Sequence, residues 1–257
     1  MINSAADAES FIKSVRGISP TDPFACRIIS LCNSYDPGLV FVDYWLIGDE
    51  NGCTGAIARN GSNFILFLTD DSDLEEISSF MRVAGASAVI CDGRFNLELN
   101  GCKTLEGKVL VRNTAFEAEE TGLCFVQPDI RQAYDLIVKS ADENFVPPKF
   151  EDFYVDVNHK LRHNTARLCG IEENGRVVAA AMTVAESDGA AVLGAVSCDP
   201  EYRRRGFGSS LIRHITNILA GENKSVYLHR AKNANAAFYT NLGFSEYGDW
   251  REYYFIR

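Results

Sequence analysis

The chain has 257 residues, a formal net charge of −10 and 46% hydrophobic side chains, enough for one large or two ordinary domains with a sizeable buried core. The acidic balance argues against a nucleic-acid partner, because phosphate contacts demand a basic face. No apolar run reaches the about 20 residues that a membrane span needs, and the start, Met1-Ile2-Asn3-Ser4-Ala5-Ala6-Asp7, lacks a basic stretch before an apolar core, so a cytoplasmic protein without a membrane partner is expected.

In chain order, Tyr44-Trp45-Leu46-Ile47 reads as a strand, Asn51-Gly52 as a turn, Thr54 to Arg59 as a strand, Asn60-Gly61 as a turn and Phe64 to Leu68 as a third strand. A helix through Leu74 to Val83 follows, closes at Ala84-Gly85 and leads to a strand at Ser87 to Cys91. Asn113 to Gly122, with Glu117, Glu119 and Glu120, reads as a linker. Beyond it Asp129 caps an amphipathic helix over Ile130 to Val138, and a less regular helical segment spans about 150 to 162. Strands are then expected at Thr165 to Glu172, Arg176 to Ala185 and Ala190 to Ser197, joined at Asn174-Gly175 and Asp188-Gly189. The next helix ends at Ala220-Gly221, and Ser225 to His229 makes another strand. The order strand, strand, strand, helix, Ala-Gly, strand therefore occurs twice. This predicts two related α/β modules, residues 1–115 and 121–257. Charge divides the same way: residues 1–120 hold 9 Lys+Arg against 18 Asp+Glu, and residues 121–257 hold 16 against 17.

The two copies part company between the third strand and the helix. The second reads Cys198-Asp199-Pro200-Glu201-Tyr202-Arg203-Arg204-Arg205-Gly206-Phe207-Gly208-Ser209. A helix start presents unpaired amides and partial positive charge, and glycines at 206 and 208 let a diphosphate approach that backbone. The first copy has Asp70-Asp71-Ser72-Asp73-Leu74-Glu75-Glu76 at the same place. Carboxylates suit a helix N-terminus but repel a diphosphate, so the first module is read as degenerate.

Arg203-x-x-Gly206-x-Gly208, followed by the strand Val226-Tyr227-Leu228 and by Phe238-Tyr239-Thr240-Asn241-Leu242-Gly243-Phe244, resembles the GNAT superfamily of acyl-CoA-dependent N-acyltransferases over roughly residues 121 to 257. The resemblance implies an α/β (α+β) fold of tandem GNAT-like modules, each a mixed, mostly antiparallel sheet flanked by helices. It implies acetyl-CoA as cosubstrate and a small-molecule or peptide amine as acceptor. Backbone groups of Val196, Ser197 and Cys198 would bind the pantetheine arm, and Arg203, Arg204, Arg205, Gly206, Phe207, Gly208 and Ser209 would cradle the diphosphate. Tyr239 would protonate the departing thiolate, since a phenol and a thiol have pKa values near ~10 and ~8.5. The family's asparagine, seven positions before that tyrosine, is Lys232 here, which leaves Asn233 and Asn235 as candidates. Ala190 to Ser197 holds no carboxylate, so Glu186 on the preceding strand is the candidate general base. Acceptor residues are expected around Phe145 to Tyr154. A non-catalytic acyl-CoA-binding regulatory module is the alternative that the missing strand carboxylate suggests.

Other chemistry is not signalled. His159-x-x-x-His163 puts two imidazoles on one helix face, but without the glutamate of His-Glu-x-x-His it reads as a polar face and no metal is expected. Gly101-Cys102-Lys103-Thr104 interrupts the Gly-Lys-Thr of a P-loop, and no Gly-x-Ser-x-Gly elbow occurs. The eight cysteines form no Cys-x-x-Cys pair and fall mostly in apolar runs, as reduced thiols do.

Overall fold

The computed structural model describes residues 1–49, 52–117, 121–141, 146–232 and 234–256. Asn51, Glu119, Glu120, Phe145 and Asn233, used in the sequence reading, lie outside them. The fold divides into two compact units. Unit 1 comprises Met1–Leu110, His229–Asn233 and Glu246–Arg257, and unit 2 comprises Val111–Leu228 and Ala234–Ser245.

Unit 1 runs β1 (Ile2–Ser4), α1 (Ala8–Ile18), α2 (Pro23–Ser34), β2 (Val42–Asp49), β3 (Gly52–Asn60), β4 (Asn63–Leu68), α3 (Leu74–Val83), β5 (Ala88–Asp92) and most of β6 (Cys102–Arg112). Unit 2 runs β7 (Cys124–Val126), α4 (Ile130–Lys139), α5 (Phe150–Arg162), β8 (Leu168–Glu173), β9 (Arg176–Glu186), β10 (Ala190–Cys198), a 3-10 turn at Pro200–Tyr202, α6 (Phe207–Gly221), the start of β11 (Ser225–Ala231) and α7 (Ala236–Asn241). The final strand, β12 (Ser245–Phe255), lies almost wholly in unit 1, where it pairs antiparallel with β5 from Trp250↔Asp92 to Tyr254↔Ala88. The sequence reading carries the second module to residue 257, whereas the contacts count this strand with the first.

Strand, helix, helix, three strands, helix, strand occurs in both units. In each, the first three consecutive pairings are antiparallel and the strand after the helix pairs in parallel: β4 with β5, and β10 with β11. The repeat is thus longer than the sequence shows, because α1, α2 and the short strands β1 and β7 complete it. Aspartates cap α1, α2, α3 and α4 by accepting from their first-turn amides; at α4 Asp129 and Gln132 form a reciprocal capping box. Core side chains then pack between strands and helices in each unit, and in β9 consecutive residues from Val177 to Met182 are buried. Ile57, Phe64, Leu66, Ile77, Met81 and Val89 anchor the core of unit 1, while Ala133, Leu136, Val157, Leu168, Ala180 and Met182 anchor one in unit 2. No helix among the described residues is long and apolar enough to cross a membrane, which says nothing of a β-barrel.

Candidate functional site

The described candidate site residues cluster in unit 2, where β10 leaves its parallel neighbour. β10 and β11 pair only from Ala190↔Ser225 to Leu193↔Leu228. The register against β9 then slips between Gly194 and Ser197, and Ala195 takes a left-handed φ of 50°. Such a bulge bends a strand and re-aims its backbone. Ser197 and Cys198 stay paired with Ala180 and Ala179 of β9, so the opposite edge of Val196 to Cys198 has no strand partner among the described residues. Ser197 is buried, its hydroxyl donating to the Ala180 carbonyl at 3.4 Å. Burial pushes the Cys198 thiol above its usual pKa, which fits a contact surface rather than a nucleophile.

After Cys198 the chain turns sharply into α6. Asp199 accepts from the Glu201 amide at 3.2 Å and starts the 3-10 turn. Gly206 then stands at the N-cap with φ 86°, a conformation that glycine adopts without a Cβ penalty. Unlike α1 to α4, α6 has no side-chain cap, so its first-turn amides keep their donor capacity and the helix's positive pole faces outward. The three arginines are unequal. Arg203 donates from Nε to the Cys198 carbonyl at 3.2 Å, fastening the turn on itself. Arg205 pairs with Glu173 at 2.6 Å and lies over the Tyr202 and Phe207 rings. Arg204, at φ 63°, has no partner among the described residues and is exposed. Phe207 is buried and anchors the helix start. Uncapped amides, two positions without Cβ and an uncommitted guanidinium fit a diphosphate.

Tyr239 is half-buried on α7, edge-on to Phe238 and Phe244 at ring distances of 5.0 and 6.1 Å. Its hydroxyl donates to no described residue, and desolvation pushes its pKa up to about 12, so the phenol stays protonated at neutral pH. The Phe244 amide closes the turn on the Tyr239 carbonyl at 3.1 Å, which explains why Gly-Phe follows the tyrosine at this spacing. Asn235 sits exposed at the left-handed N-cap of α7, with no side-chain cap bond.

Glu186 does not join this group. It ends β9 opposite Ala191, at the far end of β10 from the bulge. Its carboxylate is 3% exposed and held by Lys224 at 2.8 Å, Arg167 at 3.0 Å and the Thr183 hydroxyl at 2.7 Å. Glu186 thus belongs to an ion-paired cluster set apart from the bulge and the arginine turn, and its assignment as general base is not carried forward. The sequence signal was position on the strand; the deciding partners come from residues 19 and 38 positions away.

Two concavities of about 380 Å³ each meet at the stacked Phe125–His214 pair; Ser210, Arg213 and Asn217 of α6 line the first and Arg167 the second, and neither is lined by Val196 to Ser209, Glu186, Asn235 or Tyr239. His159 and His163 stack at 4.3 Å, and no group of three metal-ligating side chains occurs among the described residues. All eight cysteines are free thiols; Cys26, Cys32 and Cys91 are buried, while Cys124 is exposed.

The segment that carries the bulge, the arginine turn and Tyr239 matches the acetyltransferase (GNAT) family model over residues 130–244. Residues 130–244 belong to the GNAT family. An 87-residue stretch is 36% identical to the ribosomal protein bS18-alanine N-acetyltransferase of Escherichia coli (strain K12), and equally to that of Shigella flexneri, covering 33% of this chain and 58% of each relative. The chain therefore spans under two thirds of the length of the curated relatives it matches. The whole chain is similar in fold to a tandem GNAT protein from the clavulanic acid biosynthesis pathway, with a TM-score of 0.57, 12% identity and coverage of 98% and 97% of the two chains. A Drosophila protein gives a TM-score of 0.65 at 12% identity, over 99% of this chain and 98% of that one. The architecture is a tandem of GNAT-like modules.

Proposed function

We propose that the protein is an N-acetyltransferase that moves an acetyl group from acetyl-CoA to a primary amine of a small molecule or peptide, with unit 2 as the catalytic module. The observation that carries this is the conjunction of a β10 edge at Val196 to Cys198 without a strand partner among the described residues and an uncapped α6 start at Gly206 to Ser209, shortly after it in the chain. An extended pantetheine arm finds backbone partners on the first, and a diphosphate finds amides of Gly206 to Ser209 on the second. Arg204 adds a cation from the turn. The neutral amine attacks the thioester carbonyl, the C–S bond breaks, and the leaving sulfur takes the Tyr239 proton while the amine nitrogen surrenders one of its own to water. Holding donor and acceptor together supplies the orientation, and a placed phenol supplies the acid. The E. coli relative's name, an alanine N-acetyltransferase, supports an amine acceptor.

Titration calorimetry with acetyl-CoA, followed by thiol release measured against a panel of amines and peptides, tests this. Binding with acceptor-dependent thiol release is the expected result. An absence of heat overturns the reading, and binding without release to any acceptor leaves only a CoA-binding module.

A further inference from the structure

We propose that Asp199 is a positioning residue for the donor site: its buried carboxylate, clamped by Lys139 and Arg176, sets the path of the turn that delivers the α6 amides. The inference rests on the acetyl-CoA reading above. Asp199 is 2% exposed although it adjoins a surface turn. One oxygen, Oδ2, accepts from Lys139 Nζ at 3.1 Å and from Arg176 Nη2 at 2.5 Å, while Oδ1 accepts from the Glu201 amide. Its backbone is pinned as well, since the Asp199 amide donates to the Val178 carbonyl at 2.9 Å and its carbonyl accepts from the Tyr202 amide at 2.8 Å.

These contacts draw in three elements. Lys139 ends α4, and the hydroxyl of the next residue, Ser140, donates to the Cys198 carbonyl at 3.3 Å. Arg176 opens β9 and also reaches Glu201 at 3.8 Å. Glu173 ends β8 and takes Arg205. Two half-exposed cations close to a turn that is to meet a dianionic group would by charge alone be expected to face the ligand; both face Asp199 instead. Burial of the carboxylate is unfavourable in itself, but the Lys139 hydrogen bond, the Glu201 amide and the Arg176 charge outweigh it and hold the group ionised, below its ordinary range. The arrangement is a lock on backbone geometry, and a diphosphate held by amides depends on that geometry more than on net charge.

Charge and positioning predict opposite signs. Asp199→Asn leaves the turn one unit more positive, so a purely electrostatic role gives tighter acetyl-CoA binding. Positioning gives weaker binding. Asp199→Glu keeps the charge but shifts the carboxylate by one methylene, so only positioning predicts a loss. With the full chain, calorimetry should show Kd for acetyl-CoA rising about ten-fold in both variants, the scale of one charge-assisted hydrogen bond lost. S-acetylpantetheine, which lacks the diphosphate, is the control ligand, and the ratio of its turnover to that of acetyl-CoA should rise by the same factor. Unchanged or tighter acetyl-CoA binding in Asp199→Asn overturns the proposal, and so does an equal loss for both thioesters. If Asp199→Asn does not fold, Asp199→Glu decides alone. Wild-type protein that binds no acetyl-CoA overturns the site reading itself, a result distinct from any variant effect.

Discussion

Gly208 has no structural need to be glycine. A Cβ there would meet only the Phe238 ring, at 3.7 Å, an ordinary contact, and within a helix alanine is favoured over glycine by about 0.5–1 kcal/mol. The proposed diphosphate, approaching the backbone, would account for the missing side chain. Gly208→Ala is therefore expected to leave the protein as stable or stabilise it in denaturant titrations, while weakening acetyl-CoA binding roughly ten-fold or about 1.4 kcal/mol by calorimetry. Gly206 differs, because its φ of 86° is itself costly for any other residue. Tyr239 carries a second prediction. Its phenol, pushed up to about 12 by burial, remains a proton donor through the range near pH ~10 where an ordinary tyrosine ionises. Tyr239→Phe should lower kcat by about 100-fold with little change in KM for acetyl-CoA, and the wild-type rate should show no fall near that pH. A fall there, or an unchanged kcat in the variant, removes the phenol from the mechanism.

Among elements, the contrast between α3 and α6 explains why matching secondary structure gives different chemistry. Asp73 Oδ1 accepts from the Glu75 and Glu76 amides at 3.0 and 2.9 Å, so the first turn of α3 is satisfied internally. α6 leaves the same positions open because Gly206 brings no side chain. The ion cluster at the far end of β9 is structural. Arg167 bridges Glu186 and Glu222, and Lys224 bridges the same two carboxylates, tying the ends of β9 and α6 together. Glu186→Gln, which uncouples a buried pair, is expected to cost about 3 kcal/mol in unfolding free energy while leaving kcat of the folded enzyme unchanged; a large kcat loss would restore Glu186 as a base. Arg167, then Lys224, hold Glu222 down from 4.5 to about 2, against the opposing effect of burial. Because the folded value lies below the unfolded one, the stabilisation is complete above about pH 4.5 and is lost as pH falls toward 2. Acid unfolding of Glu222→Gln should show a shallower slope across that window.

For the whole molecule, duplication of the fold is not duplication of the site. α3 is capped by Asp73 and flanked by Asp70, Asp71, Glu75 and Glu76, so the proposal places the diphosphate at the arginine turn alone, and calorimetry should return one acetyl-CoA per chain. A stoichiometry of two would mean that the acidic turn binds after all. The sequence alone determined the repeat, the α3 boundaries and the hairpins at Asn60-Gly61 and Asn174-Gly175, because each rests on local signals: caps, turn residues and apolar alternation; glycine spacing is the local signal behind the proposed donor site. It missed α1 and α2, whose Asp7 and Asp22 caps were legible, and it missed Asp199, visible only as the residue between a strand and Pro200. Three matters were left to tertiary structure. The last strand pairs with β5, some 160 residues back, which no local pattern encodes. Glu186 is neutralised by Arg167 and Lys224, and Arg205 is taken by Glu173. For Glu186 and Arg205 the charge was readable from sequence, but whether it was free depended on a partner brought near by folding, because ion pairing falls off within a few ångströms while sequence distance places no limit on it.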